Sequence, residues 1–299
     1  MLLSPERRST RASSFDDRRS TRYTRPGVLA LNYGFYVLLA IGILAFLYYL
    51  YFYRATWLLD LPVLVQGAVI TVVISLISMF FATIFGFIGA LGRLSKFAPI
   101  RWLALVYVEV IRGTPILVQL LLWGFGVSAA LSNLGFDPFN IAYSVMTALQ
   151  NNSLLPDQQT FDAAFYGILG LSFNYGAYLT EVFRTGIESV DKGQGEAAMS
   201  LGMSPGQTLR HIILPQAVRI TIPPFTNYFI TLVQDSALLS VIGGVIELQE
   251  TTTALASPLS SEPFRQLFVY VFGALIFLII CYPLALFSRF LERRMGVAY

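Results

Sequence analysis

Apolar residues run through this chain in six long blocks, near residues 28–53, 62–92, 102–131, 163–183, 217–246 and 267–288. Each is long enough to cross a bilayer as a helix, for which about 20 apolar residues suffice. Several exceed about 25 residues, so tilting or internal breaks are expected. One polar interruption, Gly193–Pro215, carries helix signals of its own. Glu196 to Leu201 are good helix formers, and Gly202 stands where a left-handed C-terminal cap would stand. Ser204, Pro205 and Gln207 have the spacing of an N-cap, a first helical residue and a capping-box partner. Pro215 ends the second of these helices or kinks its continuation. Two short helices joined by a glycine turn are predicted, and such helices are marginal unless they pack on something.

Composition places this pattern in a membrane. The 299 residues are 56% hydrophobic and 12% charged, against about 25% charged in a soluble domain. The fold class is therefore all-α integral membrane, with six transmembrane helices. A single cysteine, Cys281, and a single histidine, His211, exclude a disulfide framework, a thiolate cluster and a multi-histidine metal site within one chain. Residues 1–27 are polar and carry Arg7, Arg8, Arg11, Arg18, Arg19, Arg22 and Arg25. They read as a disordered basic cytoplasmic tail lying against anionic lipid, and nucleic acid is not an expected partner.

Charge orients the spans. With the N-terminus inside, the inner segments hold the seven tail arginines, Arg93, Lys96, Arg101, Arg184, Lys192, Arg210, Arg219, Arg289, Arg293 and Arg294. Only Arg54 and Arg265 remain outside, with Arg112 in a span. Asp137, Asp157 and Asp162 mark a long outer loop without a basic residue. This satisfies the positive-inside rule, sets both termini in the cytoplasm, and places Gly193–Pro215 there too.

Polar residues at membrane depth are expensive and mark candidate sites. Glu109 and Arg112 are three apart ahead of Gly113-Thr114-Pro115, so they can pair as a structural or gating ion pair. Glu181 and Arg184 repeat that spacing, where the arginine can also simply reach the inner interface. The fifth block is broken early by Pro223-Pro224 and then carries Asn227, Thr231, Gln234, Asp235, Ser236 and Ser240 before Gly243-Gly244. A broken helix lining a water-filled path tolerates such residues; polar contacts between helices are the other reading. Asn227, Thr231, Gln234, Asp235 and Ser236, with Gln119 from the third block, are the candidate path residues. No zinc motif, nucleophile elbow or phosphate-binding loop is present, so no catalytic residue is assigned.

The polar interruption resembles the cytoplasmic loop of bacterial ABC-importer permeases. Glu196-Ala197-Ala198, Gly202 and Ile212-Ile213-Leu214-Pro215 carry the resemblance. Three further runs narrow it to the polar amino acid uptake (histidine, glutamine and arginine permease-like) group. They are Tyr107–Pro115, Ala177–Arg184 with Lys192-Gly193-Gln194, and Leu214–Ala217 with Gln234–Leu238. The similarity covers about residues 62–295. The resemblance implies a type I importer fold: a permease domain over 62–295 with a coupling loop at 188–215. An extra N-terminal transmembrane helix and loop at 28–61 lie outside the five-helix core.

The family further implies a second, identical or homologous, permease subunit, ABC ATPase subunits beneath, and an extracytoplasmic amino acid-binding protein. The setting is the bacterial inner membrane. No cofactor is expected in this chain; ATP and Mg belong to the ATPase. Gly195, Glu196, Ala197, Ala198, Leu201, Gly202 and Pro205 are the expected ATPase-coupling residues, with Glu196, Ala197, Ala198 and Gly202 facing the ATPase. Gln234 stands where many relatives have Lys; with Asp235 retained, this favours neutral or basic amino acids. A secondary transporter or channel is the alternative, since a broken fifth span suits it, but it has no need of a docking loop with this spacing. A membrane enzyme would need a site converging from several spans, and only scattered carboxylates are available.

Overall fold

The computed structural model describes residues 26–148 and 156–295, and the arginines of the tail lie outside them. All regular structure among the described residues is helical. Contacts divide the chain into two units that meet in sequence between Leu59 and Asp60.

The first unit is built on α1, Pro26–Phe52. From Leu31 to Leu44 its large apolar side chains are exposed on every face, as expected of a helix that lipid surrounds, while Phe46, Tyr49 and Leu50 near its end are half-buried. Aromatic rings gather at its C-terminal end: Tyr48 stacks on Phe52 and Tyr49 on Tyr53. The Arg54 guanidinium lies 4.7 Å from the centre of the Tyr51 ring. Aromatic belts and reaching arginines of this kind sit at membrane interfaces.

The second unit begins within α2, Arg54–Arg93. Then come α3, Ala98–Arg112, and α4, Ile116–Leu121. Pro115, in extended backbone (φ −60°, ψ 136°), separates them. It has no N–H to continue α3, so the helix stops there and restarts as α4. A π-helical turn, Leu122–Val127, leads to α5, Ser128–Asn133. Helix α6, Pro138–Ala148, precedes the undescribed 149–155.

The central element is α7, Gln158–Glu188, about 46 Å long at 1.5 Å per residue. Asp157 caps it, accepting from Thr160 N at 3.0 Å and Thr160 Oγ1 at 2.8 Å. Those bonds favour the ionised carboxylate and hold the Asp157 pKa below its ordinary value. Helix α7 packs against α3, α4 and α6. It also packs against α10, Leu214–Asp235. Leu171, Tyr175 and Leu179 of α7 close on Ile74 and Ala82 of α2, Leu120 of α4 and Leu232 of α10 to form the core.

The loop ahead of α10 holds α8, Lys192–Ser200, α9, Pro205–Thr208, and a π-helical turn, Leu209–Ile213. After α10 come a 3₁₀ stretch, Ser236–Val241, then α11, Leu248–Ala256, and α12, Pro263–Met295. Buried Glu247 caps α11, accepting from Gln249 N and Glu250 N at 2.7 Å each. By length and apolarity, four described stretches can cross a bilayer: Leu31–Phe52, Trp57–Arg93, Ile116–Asn133 and Pro263–Met295. Helices α7 and α10 are long but more polar, because much of their surface faces protein.

One expectation changes here. Pro223-Pro224 do not interrupt the fifth block; they sit inside an unbroken α10. The interruption comes later, in the 3₁₀ stretch at Ser236 and at Gly243 and Gly244, whose φ values are +78° and +87°. Proline costs a helix two things, a donor and a clash, but its fixed φ is itself helical. Ala217, Thr221, Pro223 and Thr226 are buried on more than one side of α10, and this packing in the bundle holds the helix through the pair.

Candidate functional site

Two polar regions stand out, the loop before α10 and the C-terminal half of α10. In the loop, the Asp191 carboxylate accepts from Gly193 N at 2.7 Å and starts α8 four residues earlier than the predicted Glu196. At its other end Met203 N donates to Ala198 O at 3.1 Å and Gly202 N to Met199 O at 3.0 Å. This pair of bonds around a left-handed Gly202, φ +88°, is a Schellman turn. Two residues on, Ser204 Oγ accepts from Gln207 N and Gln207 Oε1 accepts from Ser204 N at 2.9 Å, closing the capping box with Pro205 at its first turn.

The turn sorts the coupling candidates by side. Glu196, Ala197, Leu201, Gly202 and Pro205 are exposed, Leu201 at 86%. Ala198 is not: it is 5% exposed, against the expectation that it faces outward. Gly195 and Ala198 are three apart and share the face of α8 turned to the segment after it, where Thr208 is also buried. A Cβ on Gly195 would meet Thr208 Cγ2 and Ile213 Cδ1 at 4.0 Å each. The small residues thus close the two-helix hairpin on itself, and Leu201 and half-exposed Met199 are left as its apolar outer surface. Gln216 Nε2 donates to Gln194 Oε1 and to Ile212 O, tying α8 to the start of α10.

On α10, Asn227, Thr231 and Gln234 are exposed and spaced i, i+4, i+7, so they form one polar stripe. Asn227 also accepts from Ser288 Oγ of α12 at 2.9 Å. Asp235, half-buried, turns to α7 and accepts a 2.6 Å hydrogen bond from the Tyr175 hydroxyl. Asp235 lies beside this stripe, and the other two path candidates are buried away from it. Ser236 is fully buried and donates to Val233 O. Gln119 is 5% exposed; its amide donates to Ile111 O and to both Thr114 oxygens and accepts from Asn174 Nδ2. It ties together the broken α3–α4 junction, where Pro115 leaves backbone carbonyls to be satisfied.

The ion-pair candidates also divide. Among the described residues, Glu109 and Arg112 make no ion pair; Arg112 lies instead over the Tyr178 ring, 5.3 Å from its centre. Both are exposed, where a flexible pair gains little, and the arginine takes the aromatic face. Glu181 and Arg184 do pair, at 2.7 Å. Tyr178 packs on Tyr228 (5.5 Å between ring centres), and Tyr175 lies 6.3 Å from Tyr178. Arg112, the three tyrosines and Asp235 thus form a continuous chain that sequence reasoning missed. Its signal was the i, i+3 spacing of Tyr175, Tyr178 and Glu181 on α7.

A further cavity of about 400 Å³ opens between α5, the start of α7 and Gly243, lined by Ser132, Asp137, Gln158, Asp162 and Tyr166 among others. Burial and the neighbouring Asp137 charge push the Asp162 pKa above its ordinary value. No group of three or more His, Cys, Asp or Glu able to hold a metal occurs among the described residues.

The class this architecture defines is matched by residues 82–297, which fit the family described as binding-protein-dependent transport system inner membrane component. The chain belongs to that family. It is 36% identical to the probable amino-acid ABC transporter permease protein YckA of Bacillus subtilis (strain 168), covering 78% of this chain and 89% of that one. It is 32% identical to the glutamine transport system permease protein GlnP of Escherichia coli (strain K12), covering 79% and 94%. Among solved structures it resembles a crystal structure of an amino acid ABC transporter with histidines, at 31% identity and TM-score 0.62, over 80% of this chain and 97% of that one. The inward-facing MetNI methionine ABC transporter shares the fold at TM-score 0.56 and 18% identity, over 79% and 97%.

Proposed function

We propose that this chain is the membrane-spanning permease subunit of an ATP-driven importer for polar amino acids. It crosses the inner membrane six times with both termini in the cytoplasm: α1, α2, the broken α3–α5 segment, α7, α10 and α12. The last five form the permease core and α1 is additional. A second permease subunit, identical or homologous, completes the pore. ATP is hydrolysed on separate ATPase subunits, and an extracytoplasmic binding protein delivers the substrate.

The observation that carries this reading is the α8–α9 hairpin. Its turn is fixed by a Schellman motif and a capping box, yet it exposes Leu201 and Met199. A rigid hairpin with an apolar tip is built to enter a groove, and the ATPase supplies one. Movement of that groove, passed through α7 and α10 as a rigid-body displacement, switches access to the path. The polar stripe Asn227, Thr231 and Gln234, with Asp235 beside it, lines the path. Carrying a carboxylate and no basic residue, it favours neutral or basic amino acids.

The test is purification of the tagged chain from its own membranes. An ATPase should come with it, and the complex in liposomes should take up amino acid only with ATP and the binding protein. Full uptake by the purified chain without nucleotide overturns the reading.

A further inference from the structure

At the cytoplasmic ends of α2 and α7 four charged side chains alternate in sign. Arg93 Nε donates to Glu181 Oε1 at 3.2 Å. Arg184 donates through Nε and Nη2 to Glu181 Oε2, at 3.0 and 2.7 Å, and through Nη1 to Glu188 Oε2 at 2.5 Å. Glu181 therefore uses both oxygens, one toward α2 and one within α7. Arg93, Glu181 and Arg184 are each about one-fifth exposed. The spacing of Glu181 and Arg184 predicts their pair; it does not predict Arg93, which makes the pair a bridge between helices, or Glu188, which extends it along α7.

Behind the bridge the helices touch through glycines. A Cβ on Gly86 of α2 would lie 2.6 Å from Leu179 Cβ of α7, and one on Gly89 would collide with Thr180. Gly186 of α7 meets Thr221 of α10 just as closely. Glycine here permits backbone contact rather than a turn. Three residues after Glu188, the Asp191 cap begins the α8–α9 hairpin. The interhelical ion pair Arg93–Glu181 thus lies where the hairpin is mounted.

We propose that Arg93 and Glu181 are positioning residues that lock α2 to α7, so that force entering through the hairpin moves α2, α7 and α10 as one body. The proposal rests on the importer reading above. Glu181 keeps Arg184 as a partner when Arg93 is removed, so the role assigned to the pair is coupling rather than stability. Without the lock, α7 moves with the hairpin while α2 slips, and ATP is spent without opening the path.

The experiment uses the complete complex in liposomes with binding protein, measuring uptake and ATP hydrolysis together. Arg93→Met leaves Glu181 paired to Arg184, so the fold and ATPase attachment should persist. Uptake per ATP should fall about threefold or more, the range of effects along coupling networks. Arg93→Lys, which keeps the charge, should restore most of it, a rescue that a purely packing role would not give. If Arg93→Met does not assemble, Arg93→Gln replaces it. Unchanged uptake per ATP in the neutral variant overturns the proposal, as does an equal loss in both uptake and hydrolysis. Absence of ATP-driven uptake in the unmodified complex would instead overturn the importer reading.

Discussion

The hairpin before α10 and the segment that ends α10 are both breaks in helical structure, yet they are made differently. In the hairpin every break is local: Gly202, Ser204, Pro205 and Gln207 each act on groups within about a turn. In α10 the strongest local breakers, Pro223-Pro224, break nothing, because buried packing holds the helix through them. The break falls instead at Ser236 and the two left-handed glycines. A break that the chain makes by itself can stand clear of the bundle and meet a partner. A break that the bundle makes belongs to the interior, where a path would run. Variants in the hairpin should therefore change attachment, and variants in α10 should change uptake without changing attachment.

The largest effect is expected from Gly202→Val. The left-handed backbone at φ +88° costs an L-residue about 1–2 kcal/mol, and branching at Cβ adds to it. Co-purification of the ATPase should drop about tenfold while the thermal unfolding of the bundle is unchanged. Retention of full attachment would break the comparison, since it would make the turn irrelevant to docking.

Asp235→Asn comes next. It weakens the charge-assisted bond from Tyr175, of a kind that contributes about 1.5–3 kcal/mol. Uptake should fall roughly tenfold with ATPase attachment intact, and Tyr175→Phe should reproduce the loss. Normal transport by Asp235→Asn would remove α10 from the path.

Ser204→Ala removes the cap of α9, worth about 1 kcal/mol. The hairpin should still form around Gly202. ATPase titration should show an affinity about fivefold weaker, with uptake at saturating ATPase unchanged.

Legibility from the chain alone divides along the same line. The hairpin's turn and caps were legible because they depend on neighbours in the chain. Which of its alanines faces out was not: Ala197 and Ala198 are indistinguishable until Thr208 and Ile213 fold back on one face of α8. In the bundle, the polar stripe Asn227, Thr231 and Gln234 was legible from spacing. Gln119 and Ser236 looked the same on paper but are consumed by internal hydrogen bonds. Arg93 lies 88 positions from Glu181, and no local pattern joins them.

The smallest effect is the most informative about substrate. Gln234 is exposed at the end of the polar stripe, next to half-buried Asp235. Gln234→Lys would add a positive charge at a solvated position without filling packed space. An exposed charge acts through water, so its influence on a passing amino acid is about 1 kcal/mol or less. That corresponds to about a fivefold change at most in relative rates. Competing arginine and glutamate, each delivered at saturation in the complete complex, measure it as a ratio. The ratio should move toward glutamate in the lysine variant and stay fixed in Gln234→Glu or move the other way. Variants in the hairpin should leave it untouched if, as proposed, the hairpin meets the ATPase and not the substrate. A shift produced by Ser204→Ala as large as that produced by Gln234→Lys would mean that the two regions are not separable. Selectivity would then be set by how the helices move rather than by what lines the path.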